Sequence, residues 1–531
     1  IAPGVDSTRH SAPTIAVTGQ VSLMLVVALL TGAASFIYEI AWIRMLSLVL
    51  GASTHSFELM LSAFILGLAL GGLWIRWRID ALTKPIIFLA GVQIAMGLLA
   101  LGSLPLYDAL FDLMQSIVRA LAKTESGYGL YLAASHGIAL AIMLPATFCA
   151  GMTLPLITFA LLRDGHGERS IGRVYAANTL GAILGVAFAA QIGMPLLGVK
   201  GLVIAGAGID VALGVALLVT AGANWRYLTT AGAAVLFGAI ALGSSLDPYK
   251  LASGVFRRGD LFTKEDSTLI FYRDGKTTSV SLLKIEDDLS LRTNGKSDGA
   301  INMNEAGPRV SDEMTMVLTA AIPFAHRPTA TDVAIIGIGT GLTTHAMVAI
   351  ETVQHVETIE IEPFMAAAAR QFAPRNANSF ADPKSHIVFD DAKTHFSTAN
   401  RKYDIIISEP SNPWVSGVAS LFTREFYRHA KRYLKPGGVL TQWFQMYEIT
   451  PQLVASVLGA IGAEFEDYVI YAANDGDLLI VAGAADAFAK PLHDVFESPG
   501  LAAELRRVHV RTIGDIEMRR LHSRYDMPEF N

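Results

Sequence analysis

The sequence predicts a multi-spanning α-helical membrane domain followed by an α/β domain, and three observations carry that prediction. Of 531 residues, 52% are hydrophobic and 17% charged, too apolar for an ordinary soluble chain of this length. The excess is uneven: long apolar stretches with few charges run up to about Gly243, and a globular mixture follows Leu246. In that second half, strand-like runs ending in a glycine turn or an acid recur at the spacing of βαβ units.

Apolar stretches at about 21–45, 56–75, 86–107, 130–160, 172–195, 199–220 and 228–245 are each long enough to cross about 30 Å of hydrocarbon as a helix. The fourth carries Pro145 and Pro155, which predicts a kink or break. Gly67 with Gly71, and Gly181 with Gly185, have the spacing of close helix packing. Arg76, Arg78, Lys84, Arg163, Arg169, Arg173 and Arg226 flank even-numbered spans, so the positive-inside rule puts their loops in the cytoplasm. With seven spans that rule leaves the C-terminal half outside, whereas a nucleoside-type ligand argues for the cytoplasm. The expectation adopted is a multi-pass protein of the cell (inner) membrane with a cytoplasmic C-terminal domain. Within the spans, Glu39, Asp210 and Asn178 are candidates for internal polar roles, while Trp42 and Arg44 read as an interfacial anchor and a snorkelling cation. His55 and Glu58 form a further ionisable pair.

Residues 1–20 are polar and Pro-containing and read as a loose tail, and the start at Ile1 is consistent with missing N-terminal residues. The domain boundaries follow as 1–20, a helical domain at 21–245, a β hairpin subdomain at 246–328 and a nucleoside-binding domain at 329–531. The hairpin subdomain rests on β-type runs at 267–272, 277–283 and 289–292, with Asp274-Gly275 and Asn294-Gly295 as turns. A net charge of -6 with no basic stripe argues against a nucleic-acid partner. The single cysteine, Cys149, excludes a disulfide framework and a cysteine-based metal site, and no metal is expected.

The strand at 332–336 enters the turn Gly337-Ile338-Gly339-Thr340-Gly341, whose glycines let the backbone approach a ligand at a helix N-terminus. The next strand ends in Glu360, at the distance where a carboxylate takes ribose hydroxyls. The strand at 386–389 ends in Asp390-Asp391, placed to accept from an adenine amino group. Tyr403-Asp404-Ile405-Ile406-Ile407-Ser408 then delivers Glu409 into the loop Pro410-Ser411-Asn412-Pro413-Trp414, the pattern of a buried parallel strand that brings an acid to the sheet mouth. Trp414 and Trp443 suit an acceptor pocket or the core equally.

The run from about 330 to 450, with these motifs plus Leu421-Phe422-Thr423-Arg424-Glu425-Phe426-Tyr427 and Pro436-Gly437-Gly438, resembles the spermidine synthase family of aminopropyltransferases. The whole chain is similar to membrane-fused members of that family. The resemblance implies a Rossmann-like, class I methyltransferase-type sheet, mainly parallel and seven-stranded. It also implies S-adenosylmethionine or its decarboxylated form as co-substrate, held by Gly337, Gly339, Gly341, Glu360 and Asp391, with Glu409 in the place of the catalytic aspartate. The family's loop is Asp-Ser-Ser-Asp-Pro, so Asn412 stands where a second carboxylate would hold a diamine. The family's Tyr-His-Glu motif, expected near Asp312-Glu313-Met314, is also missing, which makes putrescine a doubtful acceptor. Asn412 and Trp414 are the candidate substrate contacts.

Three functions stay open at this level. One is aminopropyl transfer to a small-molecule amine or a membrane-bound acceptor. Another is S-adenosylmethionine-dependent methyl transfer to a membrane substrate. The third is a non-catalytic transport or scaffold subunit with a vestigial nucleoside fold. The lipid bilayer is the expected partner, and a homo-oligomer or a larger membrane complex is compatible with each.

Overall fold

The computed structural model describes residues 19–122, 124–222, 225–399, 401–410, 412–447 and 449–523. The predicted tail therefore lies almost wholly outside the described residues, as does Ser411. The first half is a helical bundle: α1 (Gly19–Leu50), α2 (Thr54–Arg76), α3 (Pro85–Ala120), α4 (Glu125–Arg163), α5 (Arg169–Phe188), α6 (Met194–Thr220) and α7 (Arg226–Gly243). Among the described residues six helices are long and apolar enough to cross a membrane, the run Arg169–Thr220 counting as one. At about 1.5 Å per residue such a run would be about 78 Å long. It reverses instead at Gly198, whose φ of 66° and ψ of -178° no helix contains, so the chain traverses the bundle seven times.

Close helix contacts fix the packing and the direction of each pass. A Cβ on Gly67 would lie 1.8 Å from the Thr147 hydroxyl, and one on Gly71 1.9 Å from the Phe148 carbonyl, so α2 lies parallel and tight against α4. Gly181 and Gly185 meet Leu29 and Ala33 of α1 in the same way, at 1.8 and 2.4 Å. These are the small-residue pairs that the sequence marks. The break expected in α4 is absent: Pro145 and Pro155 lie inside one continuous helix. Near them the Thr147 hydroxyl donates to Met143 O at 2.8 Å and that of Thr158 to Pro155 O at 3.0 Å, so these hydroxyls find partners within the helix.

The polar residues of the bundle face inward. Tyr38 donates to Asp210 at 2.7 Å, and the Trp42 indole donates to the Ser103 hydroxyl at 3.1 Å. Trp42 is fully buried and so is no interfacial anchor. Arg44 does not snorkel to lipid headgroups either; its guanidinium donates to Gly275 O at 3.1 Å, in the second half of the chain.

After two short helices, α8 (Pro248–Ser253) and α9 (Val255–Arg258), comes an antiparallel meander β1 (Thr268–Asp274), β2 (Ser279–Ile285), β3 (Asp288–Thr293) and β4 (Lys296–Asn302). Asn294 and Gly295 both have positive φ, the two-residue turn expected between β3 and β4. Helix α10 (Ser311–His326) leads into β5 (Asp332–Ile336), α11 (Leu342–Val348), β6 (His355–Glu360), α12 (Pro363–Ala369), α13 (Asn378–Ala381), β7 (Ser385–Phe389), α14 (Ala392–Thr398) and β8 (Tyr403–Ser408). Helix α15 (Arg424–Lys431), β9 (Leu434–Gln445), α16 (Pro451–Gly462), β10 (Asp467–Asn474), β11 (Asp477–Gly483) and, further on, β12 (Arg520–Ser523) complete the sheet. Its order is β12-β10-β11-β9-β8-β5-β6-β7, parallel from β7 to β9 and antiparallel beyond. The sheet has eight strands rather than seven; β12 is a four-residue edge strand with too little alternation to be read from sequence. Strand order reverses beside β5, so the crevice at the C-terminal ends of β5 and β8 is where a ligand site is expected.

The two halves meet at one end of the bundle. Val199, just past the reversal, donates its N–H to Asp274 at 3.0 Å, Gln115 donates to Gly259 O at 2.9 Å, and Lys250 bridges Asp108 and Asp112 of α3, each at 2.9 Å. The basic residues Arg76, Lys84, Arg163, Arg169 and Arg226 cap the opposite end, where Arg163 donates to Leu82 O at 2.7 Å.

Contact distances at the glycines give a direct test of the packing. Gly71→Ala should lower the melting temperature, because overpacking a tight contact costs about 1–3 kcal/mol. Gly102→Ala, where nothing lies within 4 Å, should leave it unchanged or slightly raised. Equal effects at the two positions in a thermal-shift assay would contradict the close α2–α4 contact.

Candidate functional site

Parallel pairing of Ile336 with Ser408 aligns the ends of β5 and β8, so the glycine turn and the acid emerge side by side. The Gly337 N–H donates to Ile359 O at 2.9 Å and that of Glu409 to Ile336 O at 3.0 Å, which stitches β6, β5 and β8 together at their mouths. Gly337, Gly339 and Gly341 have φ of 94°, 48° and 85°. A side chain at Gly337 would also press on the Glu409 carbonyl, 2.9 Å away, so glycine is required there on two counts.

These strand ends open into a cavity of about 1800 Å³. It is larger than the roughly 300–1,000 Å³ of a usual small-molecule site. Gly337, Gly339, Glu360, Asp391, Glu409, Trp414 and Trp443 line it. Gly341 instead caps α11, and Asn412 lies off the wall, buried, with neither side-chain amide atom bonded to a described residue. The wall is shared: Leu50, His55 and Leu59 at the α1–α2 junction, and Tyr128, Tyr131 and Leu132 of α4, close it from the helical half.

Each acid has a local duty beside any ligand role. The Glu360 carboxylate accepts N–H bonds from Ile338 at 3.0 Å and Glu362 at 2.8 Å, so it braces the glycine turn. Burial raises its pKa to about 7 against the lowering effect of those bonds. Asp391 caps α14, accepting from the Thr394 N–H at 3.0 Å. Glu409 differs: burial pushes its pKa up to about 8, Thr343 is the side chain that bonds it, and its Oε1 is buried without a partner. No described N–H caps it, Ser411 lying outside the described residues.

The sequence alone does not reveal several wall residues. Asp312 and Asp477 face the cavity from α10 and β11, with Gln445 and Tyr447 beside them. Glu362 takes the Thr277 N–H and hydroxyl at 2.9 and 2.8 Å, tying the β1–β2 turn to the site. The loop after Glu409 is itself bound to the helical half: Ser53 and Val415 form an antiparallel bridge, Thr54 donates to Trp414 O at 3.3 Å, and Ser416 donates to Ala52 O at 2.9 Å. Contacts between segments some 360 residues apart leave no local signal. Among the described residues no group of three or more histidine, cysteine or acidic side chains is placed to hold a metal.

An α/β sheet of this order, with a glycine turn and three strand-end acids around one crevice, is a domain of the methyltransferase type. Residues 315–474 match the spermine/spermidine synthase domain, so this part of the chain is similar to spermidine synthases. It is 33% identical to a polyamine aminopropyltransferase of Clostridium perfringens over 119 residues, which are 22% of this chain and 42% of that one. The chain thus spans less than half the length of this curated relative. A match at 24% identity to polyamine aminopropyltransferase 1 of Streptomyces coelicolor covers 78% of this chain and 74% of the relative. A match to putrescine N-methyltransferase 2 of Nicotiana tabacum is 31% identical over 207 residues, 37% of this chain and 55% of that one. The crystal structure of spermidine synthase from Thermotoga maritima aligns with a TM-score of 0.36 at 17% identity, covering 46% of this chain and 88% of that chain.

The raised pKa of Glu409 has a stability consequence with a definite sign. The folded state holds its proton up to about pH 8, while the unfolded carboxyl releases it near its ordinary 4.5. Its contribution is therefore fully present below pH 4.5 and is lost as pH rises through 8. Glu409→Gln should match the parent in melting temperature at pH 4.5 and exceed it at pH 8.5. A constant difference across that range would show that the carboxyl ionises normally.

Proposed function

We propose that this protein is a membrane-anchored transferase that moves the aminopropyl group of decarboxylated S-adenosylmethionine to an amine acceptor. The observation that carries the proposal is Glu409, a buried acid with a bare oxygen at the end of β8, next to the glycine turn and inside the cavity. Gly337 and Gly339 admit the adenosyl group, with Glu360 at the ribose and Asp391 at the adenine. Trp414 and Asn412 flank the acceptor side. The acceptor nitrogen attacks the carbon bonded to sulfur, the carbon–sulfur bond breaks with its electron pair passing to sulfur, and the nitrogen's proton passes to Glu409. The leaving group is a neutral thioether, so in-line placement and one base supply most of what the reaction needs. The sulfonium and ammonium charges favour the Glu409 carboxylate over its neutral form, which arms the base when both co-substrates are present.

Methyl transfer from S-adenosylmethionine is the second reading, favoured by the similarity to a putrescine N-methyltransferase. The products separate the two: methylthioadenosine for aminopropyl transfer, S-adenosylhomocysteine for methyl transfer. Glu409→Gln should lower turnover by roughly 100- to 10,000-fold, the usual share of a general base, with donor affinity nearly unchanged. Intact turnover in that variant would reject the base role.

The apolar helices set this domain on a membrane in the proposal, with a lipid-accessible or soluble amine reaching the shared cavity. The charge bias of the loops would place the α/β half outside, because the basic residues cap the far end of the bundle. We place it in the cytoplasm. A loop-charge bias influences insertion, whereas a compartment without an adenosyl donor ends the reaction. With the buried Cys149 as the single native thiol, His166→Cys in the far-end loop should react with an impermeant maleimide on intact cells. Labelling that requires permeabilisation would put the domain outside and remove the cytoplasmic donor from the reading.

A further inference from the structure

We infer that the wall of the cavity formed by α10, β9 and β11 is a subsite for an organic ammonium group, with Asp312, Asp477 and the side-chain carbonyl of Gln445 as its three acceptors. The inference deepens the transfer reading and rests on it only for what brings the ammonium in. Asp312 stands in the first turn of α10, where its Oδ2 accepts the Ala300 N–H of β4 at 2.9 Å. Asp477 opens β11 at 6% exposure, and its Oδ2 accepts from the Thr315 hydroxyl at 2.7 Å and the Asn474 amide at 2.9 Å. Thr315, one turn along α10 from Asp312, thereby holds the two acids on one wall. Gln445 closes β9 directly opposite Asp477 in the antiparallel register.

Gln445 is the observation that points to a ligand. It is 7% exposed, lines the cavity, and its Oε1 has no donor among the described residues. A buried carbonyl left without a donor is destabilising, and a donor arriving in the cavity removes that penalty. Two carboxylates beside that carbonyl select a positively charged donor, and a primary ammonium brings three N–H groups to three acceptors. The nearby cations are already engaged: Lys296 pairs with Asp298 at 3.0 Å, and Arg257 stacks over Tyr447 at 5.3 Å. The arrangement also answers the loss of the family's second loop carboxylate at Asn412, since the acids sit on another wall of the same cavity. The ammonium has two sources, the second nitrogen of a diamine acceptor or the aminopropyl arm of the donor.

Calorimetry on the full-length protein distinguishes these sources without requiring turnover. Three ligands are compared on the parent, Asp312→Asn and Asp477→Asn: methylthioadenosine, which lacks the arm; decarboxylated S-adenosylmethionine; and 1,4-diaminobutane against butylamine on the methylthioadenosine complex. A donor-arm site predicts that the variants lose at least tenfold in affinity for decarboxylated S-adenosylmethionine and keep that for methylthioadenosine. An acceptor site predicts the same loss for 1,4-diaminobutane with butylamine unaffected. Equal changes for decarboxylated S-adenosylmethionine and methylthioadenosine together with equal changes for 1,4-diaminobutane and butylamine, or no change at all, overturn the inference, and a melting temperature near the parent's excludes misfolding as the cause. If no adenosyl ligand binds, the transferase reading fails separately, and the diamine–monoamine comparison on the free protein still decides the subsite.

Discussion

The β1–β2 turn is where this structure is held together. Asp274 faces the helical half and takes the Val199 N–H beside the Gly198 reversal, while Arg44 donates to the carbonyl of Gly275. Three residues further on, Thr277 is bound through its N–H and hydroxyl to Glu362, two positions past the acid that braces the glycine turn. Gly275 allows this: a Cβ there would lie 2.2 Å from the Glu362 carboxyl carbon. One short turn thus joins a helix reversal in an apolar bundle to the floor of the cavity at the sheet mouth. The second join, the Ser53–Val415 bridge, fixes the loop that follows Glu409. A shift of α1 relative to the sheet would reach the cavity at both the glycine turn and the loop after Glu409.

Burial shifts several of the acids at this site upward. Closing a sheet mouth with helix ends removes water, and desolvation is the first cause of the upward shifts at Glu360, Glu409 and Asp312, the last to about 6. In an open crevice the same carboxyls would be ordinary surface acids. The helical half also closes one side of the cavity, through Leu50, His55, Leu59, Tyr128, Tyr131 and Leu132.

Much of this was legible in the sequence, for reasons that are local. A glycine turn after a β-branched strand, an acid at each following strand end, and apolar runs of about 20 residues are all patterns a chain carries within a short window. The seven passes, the reversal between 195 and 199 and the three strand-end acids are of that kind. What was not legible depends on partners distant in sequence. Trp42 and Arg44 read as interface residues because only the folded bundle brings Ser103 and Gly275 to them. Asp404, quoted as part of a functional motif, faces the other end of the strand and pairs with Lys435 at 2.8 Å. Asp477 and Gln445 gave no signal at all, since nothing in either segment marks that they face each other across two strands.

Among the described residues, some of the unsatisfied polar atoms of the α/β half lie at the cavity, while others, as at Arg327, His355 and Arg519, lie elsewhere. Glu409 Oε1, the Trp443 indole N–H and Gln445 Oε1 all belong to cavity-lining residues, with the Asn412 amide just behind the wall. At about 1–3 kcal/mol each, orphaned atoms on this scale are expensive to maintain in a folded protein of ordinary stability. A core under no other demand would fill such positions with apolar side chains of similar volume. Those that do line the cavity, at the mouth of β8 and along β9, fit a site whose hydrogen bonds are completed by what it binds. The mix matters too: two acceptor oxygens and one donor N–H suit a ligand that is cationic at one end and carries an acceptor at the other. A charged amine next to an adenosyl group has that combination, and a purely apolar occupant does not.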